Sequence, residues 1–215
     1  MSWYQTGFNA LDSIPDLKRQ SRFFLKPGEE KKIIFLDSQP FSFWEHQATI
    51  NGDFRNYFTC LRNMNKSCPL CDAKVKKYFV GLFTIIEVGQ WTDKEGKVHK
   101  NPIRLMPIKQ TALKILKRHE EKGKIKNGLF TVYRSGPKSG TSGDVFDFEE
   151  FVNPLEYNPE AKVFDYLKEC EPMSYEKLVT IAGLVERDQY DDGPTSSFSS
   201  AGTGGVPVEE DDCPF

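Results

Sequence analysis

The chain has 215 residues, of which 38 % are hydrophobic and 13 % aromatic, enough for one good-sized domain with a small inserted knot and a tail. Its formal net charge of −2 hides a split: residues 18–138 hold 25 Lys and Arg against 11 Asp and Glu, and residues 139–215 hold 4 against 18. No run approaches the ~18–20 apolar residues of a membrane span, no secretory leader is visible, and five cysteines, an odd and clustered set, speak against a disulfide scaffold and for a reducing, cytoplasmic setting.

Residues 1–30 read as a polar N-terminal arm that includes the basic Lys18-Arg19-Gln20-Ser21-Arg22. Alternating apolar residues then predict strands over 31–36 and 41–50, a hairpin at Asn51-Gly52, and a further strand over 54–59. After a cysteine cluster, residues 79–88 predict the strongest strand, followed by a turn at 93–96 and a proline-interrupted strand over 98–108. Apolar positions 112, 113, 115 and 116 among Lys and Arg predict an amphipathic helix over 110–122, stopped by Gly123. Strands over 129–134 and 145–152 flank the glycine-rich loop 135–143, and helices are expected over 159–169 and 174–182. From Asp191 the Gly, Ser, Thr and Pro content is too polar to fold, so residues 186–215 read as a disordered linker with an acidic tip.

Short aromatic-rich strands with few helices predict a mainly β (α+β) fold. The scaffold expected is a five-stranded oligonucleotide-binding (OB) barrel spanning residues 31–185, with peripheral helices. Within it, residues of about 46–78 form a metal subdomain. Cys68-Pro-Leu-Cys71 is a CxxC knuckle that lets two thiolates reach one ion, and Cys60 lies a few residues upstream. His46, across the predicted hairpin from Cys60, is the expected fourth ligand; His99 and His119 lie on other elements. Four protein ligands make a closed, structural Zn²⁺ site. A thioredoxin-type CxxC would not need Cys60. A zinc deaminase needs His-x-Glu upstream of Pro-Cys-x-x-Cys, whereas Gln47 and Ala48 follow His46 and Ser67 precedes Cys68. With no nucleophilic triad, Walker loop or dense acidic cluster in the basic body, no enzyme is expected.

Single strands of nucleic acid are held by cations along the backbone and by flat side chains on which bases stack. Alternation allows only one of each adjacent aromatic pair to face a groove, so Tyr57, Tyr78 and Tyr133 are taken as exposed and Phe58, Phe79 and Phe83 as core. Arg62, Lys74, Lys76, Lys77, Trp91, Arg104, Arg134 and Lys138 complete the expected DNA-binding set. Lys138 lies in loop 135–143, which reads first as a flexible connection. In the tip, Asp211, Asp212, Pro214 and Phe215 read as a partner-docking peptide, acid for steering and ring for a pocket, which can also occupy the protein's own basic groove.

The order His46, Cys60, Cys68, Cys71, with the basic and aromatic stretch 74–83 after it, resembles the zinc-containing single-stranded DNA-binding proteins of tailed bacteriophages. The resemblance covers roughly residues 30–155 and implies an OB barrel with a zinc subdomain, those four residues as ligands, and Tyr57 and Tyr78 beside positions that face DNA. The tip is similar to the acidic Pro-Phe ending of bacterial single-stranded DNA-binding proteins, with Cys213 in place of the usual aliphatic residue. Together these imply a protein that coats single-stranded DNA in replication, recombination and repair in a bacterial host cytoplasm. They also imply self-association on DNA and recruitment of a polymerase, helicase, primase or recombinase through the tail. The alternatives are an RNA-binding or transcription-related zinc protein, or an adaptor acting mainly through its tail.

Overall fold

In the computed structural model, which describes residues 21–50, 52–92 and 96–185, the alternating segments assemble into one large antiparallel sheet and a small ribbon. The sheet contains β1 (Glu30–Phe35), β2 (Phe41–Ile50), β3 (Asp53–Thr59), β4 (Lys77–Glu87), β7 (Ile103–Lys109), β8 (Gly128–Tyr133) and β9 (Val145–Phe151). Its order is β3-β2-β4-β1-β8-β9, with β7 along the other edge of β4. Strands β5 (Gln90–Thr92) and β6 (Val98–Lys100) form the ribbon. The helices are α1 (Pro69–Asp72), α2 (Gln110–Glu120), α3 (Pro154–Tyr157), α4 (Tyr166–Glu169) and α5 (Tyr175–Leu184). The mainly β reading is therefore met. Among the described residues, no helix is long and apolar enough to cross a membrane. The expected N-terminal arm up to residue 20 and the expected tail lie outside the described residues.

Strand β4 is the spine. Its first half pairs with β2, its second half with β1, and β7 runs along its opposite edge from Val80 to Ile86. The run Val80–Ile86, apolar but for the hydrogen-bonded Thr84, is buried throughout, as a strand covered on both faces requires. On one face Ile33, Phe35, Phe83, Ile85, Met106, Ile108, Phe130 and Val132 form the main core under α2. Phe35 meets Phe83 and Phe130 edge-on, with ring centroids 5.1 and 5.2 Å apart. Helix α2 lies close because β4 has a glycine beneath it: a Cβ on Gly81 would stand 2.8 Å from Leu113 and 2.9 Å from Pro40. The segment before β1 crosses from β7 to the β8–β9 connection, with Phe23 N donating to Leu105 O and Leu25 N to Thr141 O, both at 2.8 Å. It seals the core with Phe23 and Leu25.

The opposite face is covered by the chain after β9. Ile34, Leu36, Ile86 and Leu129 pack against Val152, Tyr157 and Ala161, and Phe43, Val80 and Leu82 against Tyr166 and Cys170. The helix expected over 159–169 is correspondingly only a last turn, α4. Asn153 caps α3, and Asn158 then donates to Asn101 O at 2.9 Å and accepts from Glu160 N at 2.8 Å. Phe164 N donates to Thr84 Oγ1 at 3.1 Å, so backbone bonds to side chains replace the helical ladder. The strand expected over 98–108 is split at Asn101, which has φ 47° and accepts from Gly89 N at 2.8 Å.

A polar latch fastens this cover. The Asp37 carboxylate accepts from Thr84 N at 3.1 Å and from the Tyr166 hydroxyl, and its other oxygen is buried without a partner. Burial lifts the Asp37 carboxyl above its ordinary 3.8 although hydrogen bonds from Tyr166 and Thr84 oppose the shift. A carboxyl raised in the folded state contributes stability that is complete below 3.8 and is lost as pH climbs through the raised value. Asp37→Asn, which cannot ionise, is therefore expected to gain melting temperature relative to the parent as pH rises from about 4 to 7. Parallel melts at matched pH check this; a pH-independent difference would assign the latch to shape alone.

Candidate metal centre and nucleic-acid interface

The hairpin register places the first two ligands. His46 pairs with Phe58 across β2 and β3, so Cys60, two residues on, leaves β3 on the face that carries His46. The chain then makes a 3₁₀ turn at Leu61–Met64 and enters α1, where Cys68 caps the helix and Cys71 lies one turn in. The donor atoms of His46, Cys60, Cys68 and Cys71 all lie within 4.8 Å of one another. Cys60 and Cys71 Sγ are 3.5 Å apart, and His46 Nε2 is 3.6 Å from Cys68 Sγ and 3.4 Å from Cys71 Sγ. A tetrahedron with bonds of about 2.3 Å to sulfur and 2.0 Å to nitrogen has edges of roughly 3.5–3.8 Å, so one small cation fits among them.

The surroundings tune each ligand. His46 Nδ1 donates to Val75 O at 3.0 Å, which leaves the Nε2 lone pair facing the thiols. Burial holds its ring below the usual 6.5, in the neutral form a metal needs. Burial opposes ionisation of Cys68, yet backbone N–H groups of Cys71, Leu61 and Leu70 draw this thiol down. Cys71 is pushed up to about 12 by burial and by the sulfurs of Cys60 and Cys68. Three sulfurs this close repel as thiolates until a cation answers their charge. The cluster is walled by Ala48, Phe58, Leu61 and Leu70, with Leu178 and Ile181 of α5 completing a small core.

On the opposite face of β2 and β3 lies an aromatic and charged surface. Tyr57 stands opposite Gln47, Tyr78 opposite Glu45, and Lys109 opposite Val80, so the alternation puts Tyr57, Tyr78, Glu45 and Lys109 on one side. The Arg22 guanidinium lies 3.8 Å above the Tyr57 ring and grips Glu45 through two bonds of 2.9 and 2.7 Å. Lys109 and Lys76 sit 4.4 and 5.4 Å from the Tyr78 ring centre. Burial lowers the Lys109 pKa, and the Lys76 charge adds to the effect. The pair would be relieved by an anion.

Of the residues expected at such a surface, Tyr57, Tyr78 and Lys76 come together here. Lys77 does not: it points to the other face, with Nζ 4.6 Å from the Trp44 ring centre, and Phe79 meets Trp44 rather than the core. Arg62 and Lys74 are exposed on the metal knot, Arg62 3.5 Å from Asp72. Arg104 pairs with Glu87 at 3.4 Å on β7. Arg134 is only 6 % exposed and donates to the carbonyls of Leu25 and Pro137, so it is a brace for the segment before β1, not a surface cation. Tyr133 is half-buried on β8 between Glu30 and Val145. Lys138 is exposed in the 135–143 loop, which Asp144 closes by accepting from Ser135 N at 2.8 Å and from Ser139 Oγ at 2.9 Å. Trp91 lies on β5, and the side chain is outside the described residues, as are Asp211, Asp212, Pro214 and Phe215.

Three members of the surface escaped the sequence reading. Lys109 closes β7 in register with Val80, Arg22 was assigned to an arm, and Glu45 is the one acidic residue between 38 and 52. An acid alone in a stretch without Lys or Arg was the available signal of a buried ion pair with a cation from elsewhere in the chain. No protein-family model and no curated protein matches this chain.

Proposed function

We propose that this is a non-enzymatic protein that coats single-stranded DNA without sequence preference during replication, recombination and repair. The observation that carries the reading is the shared face of Tyr57 and Tyr78, with Lys76 and Lys109 beside Tyr78 and the Arg22–Glu45 pair bracing Tyr57, aromatic rings for stacking within reach of exposed cations. Strands β7, β4, β1, β8 and β9 wrap one core that residues 21–25 help to seal, which supports an OB-type barrel. The ion at His46, Cys60, Cys68 and Cys71 is Zn²⁺ in a closed structural role: three thiolates and one imidazole are the donor set it favours. It pins β2 and β3, and so holds Tyr57 in place. The acidic tail recruits replication partners, and the phage-type resemblance of the ligand spacing agrees with all of these roles.

The test is a titration of fluorescent oligo-dT with the full chain across salt concentrations. Binding is expected to weaken linearly on a log–log plot, with a slope of about −0.7 per phosphate neutralised. Oligo-U of equal length serves as comparison. Equal or tighter binding to RNA, or none to either strand at low salt, would reject the proposal.

A further inference from the structure

On the side of the sheet away from Tyr57 and Tyr78, α2 leaves a cavity of about 240 Å³ against the β1–β2 connection. Phe83, Leu113, Leu116 and Ile125 form its apolar floor, and Ser38, Gln39, Pro40, Lys117 and Glu120 its mouth. Gln39 Nε2 donates to Glu120 Oε1 at 2.7 Å, which turns that carboxylate toward the connection and leaves Lys117 exposed at the rim. The surroundings are strongly basic. Residues 109–126 carry seven Lys and Arg against two Glu, and Lys114, Lys117, Arg118, Lys122 and Lys126 are exposed.

We propose that this cavity is the docking site for the chain's own acidic segment Glu209–Phe215, with the Phe215 ring inside and Glu209–Asp212 against Lys117 and the basic surface of residues 109–126 around the mouth. A cavity of ~150 Å³ lined by Leu, Ile and Phe already accepts a benzene ring, so the volume here takes a phenyl group. Within residues 186–215 the large aromatics are Tyr190, Phe198 and Phe215. Phe198 sits among serines and Tyr190 carries a hydroxyl the floor cannot satisfy, whereas Phe215 follows four consecutive acids by two residues. The sign and the shape of the tip thus both match the site. The 23 residues between Val185 and Glu209 extend to about 75 Å at most, more than the roughly 40 Å breadth of a domain of this size. The assignment does not depend on the nucleic-acid reading. It places the resting tail on α2, away from the tyrosine face.

Methyl-labelled full-length protein tests this by NMR. Phe215→Ala is expected to shift the Leu113, Leu116 and Ile125 methyls while leaving Ile34 and Ile86, in the core on the opposite side, in place. A peptide of residues 206–215 added to that variant should restore the shifts saturably, with at least tenfold weaker affinity at 500 mM than at 50 mM salt. Lys117→Glu, an exposed change compatible with folding, should cost about tenfold in peptide affinity. Unmoved methyls in Phe215→Ala, or peptide shifts at Val80, two residues from Tyr78 on its face of β4, instead, would overturn the site. Shifts that grow with protein concentration would transfer the tail to a second copy and overturn docking within one chain.

Discussion

Removing the metal proposed for His46, Cys60, Cys68 and Cys71, by chelation or by Cys60→Ser, is expected to lower the melting temperature of the whole domain by 10 °C or more. The site draws ligands from β2, the end of β3 and α1, elements otherwise joined by a small core of Ala48, Ile50, Phe58, Leu61 and Leu70 with α5. Without the ion, the four-way tie among β2, the end of β3 and α1 is lost. Structural zinc contributes on the order of 10–16 kcal/mol in isolated fingers, and a loss of only ~5 kcal/mol moves a chain of this length by about 10–20 °C. Cobalt substitution with its thiolate absorption reports occupancy, and calorimetry with and without chelator reports the shift. Coincident melting curves would show that the knot folds on its apolar contacts alone.

Truncating the stacking platforms is expected to have the next largest effect. Tyr57→Ala and Tyr78→Ala should each weaken oligo-dT binding by ~1–3 kcal/mol, roughly 5- to 150-fold. Tyr78→Phe, which keeps the ring, should restore most of it. Lys76→Ala and Lys109→Ala should instead flatten the salt dependence by about one phosphate each. The opposite face supplies the control. Trp44 is 42 % exposed with Lys77 over its ring, an arrangement chemically equivalent to the tyrosine face. If Trp44→Ala cost as much as the tyrosine changes, the strand would lie on the metal side of the sheet.

The clustering of the four candidate metal ligands was legible because covalent spacing does most of the work there. CxxC fixes two sulfurs, and a hairpin register fixes His46 relative to Cys60. Strand positions were legible from alternation, and α2 from its apolar stripe beside Lys and Arg. The path of residues 158–165 was not, because hydrogen bonds to Thr84 and Asn101, distant in sequence, decide it. Arg134 was misread for a similar reason: a cation on a strand is read as exposed, and only the return of residues 21–28 buries it. The split of Lys76 from Lys77 follows from alternation itself, and was missed because charge was counted along the chain instead of by face.

The placement of β4 has a consequence for how the molecule comes apart. The strand follows directly from the metal knot at Val75 and Lys76, then runs through both covered faces of the sheet to Glu87. A partly opened state with the knot undone and the main core intact would have to melt β4 midway, between its β2-paired and β1-paired halves. Such a cut exposes buried Val80, Leu82, Phe83, Ile85 and Ile86 to water, so sub-global opening is costly there. Amide exchange along Val80–Ile86 is therefore governed by one cooperative unit. Damage at the metal end is therefore expected to speed exchange at the far end of β4, whose 11 residues at ~3.3 Å each carry the strand about 35 Å from the knot.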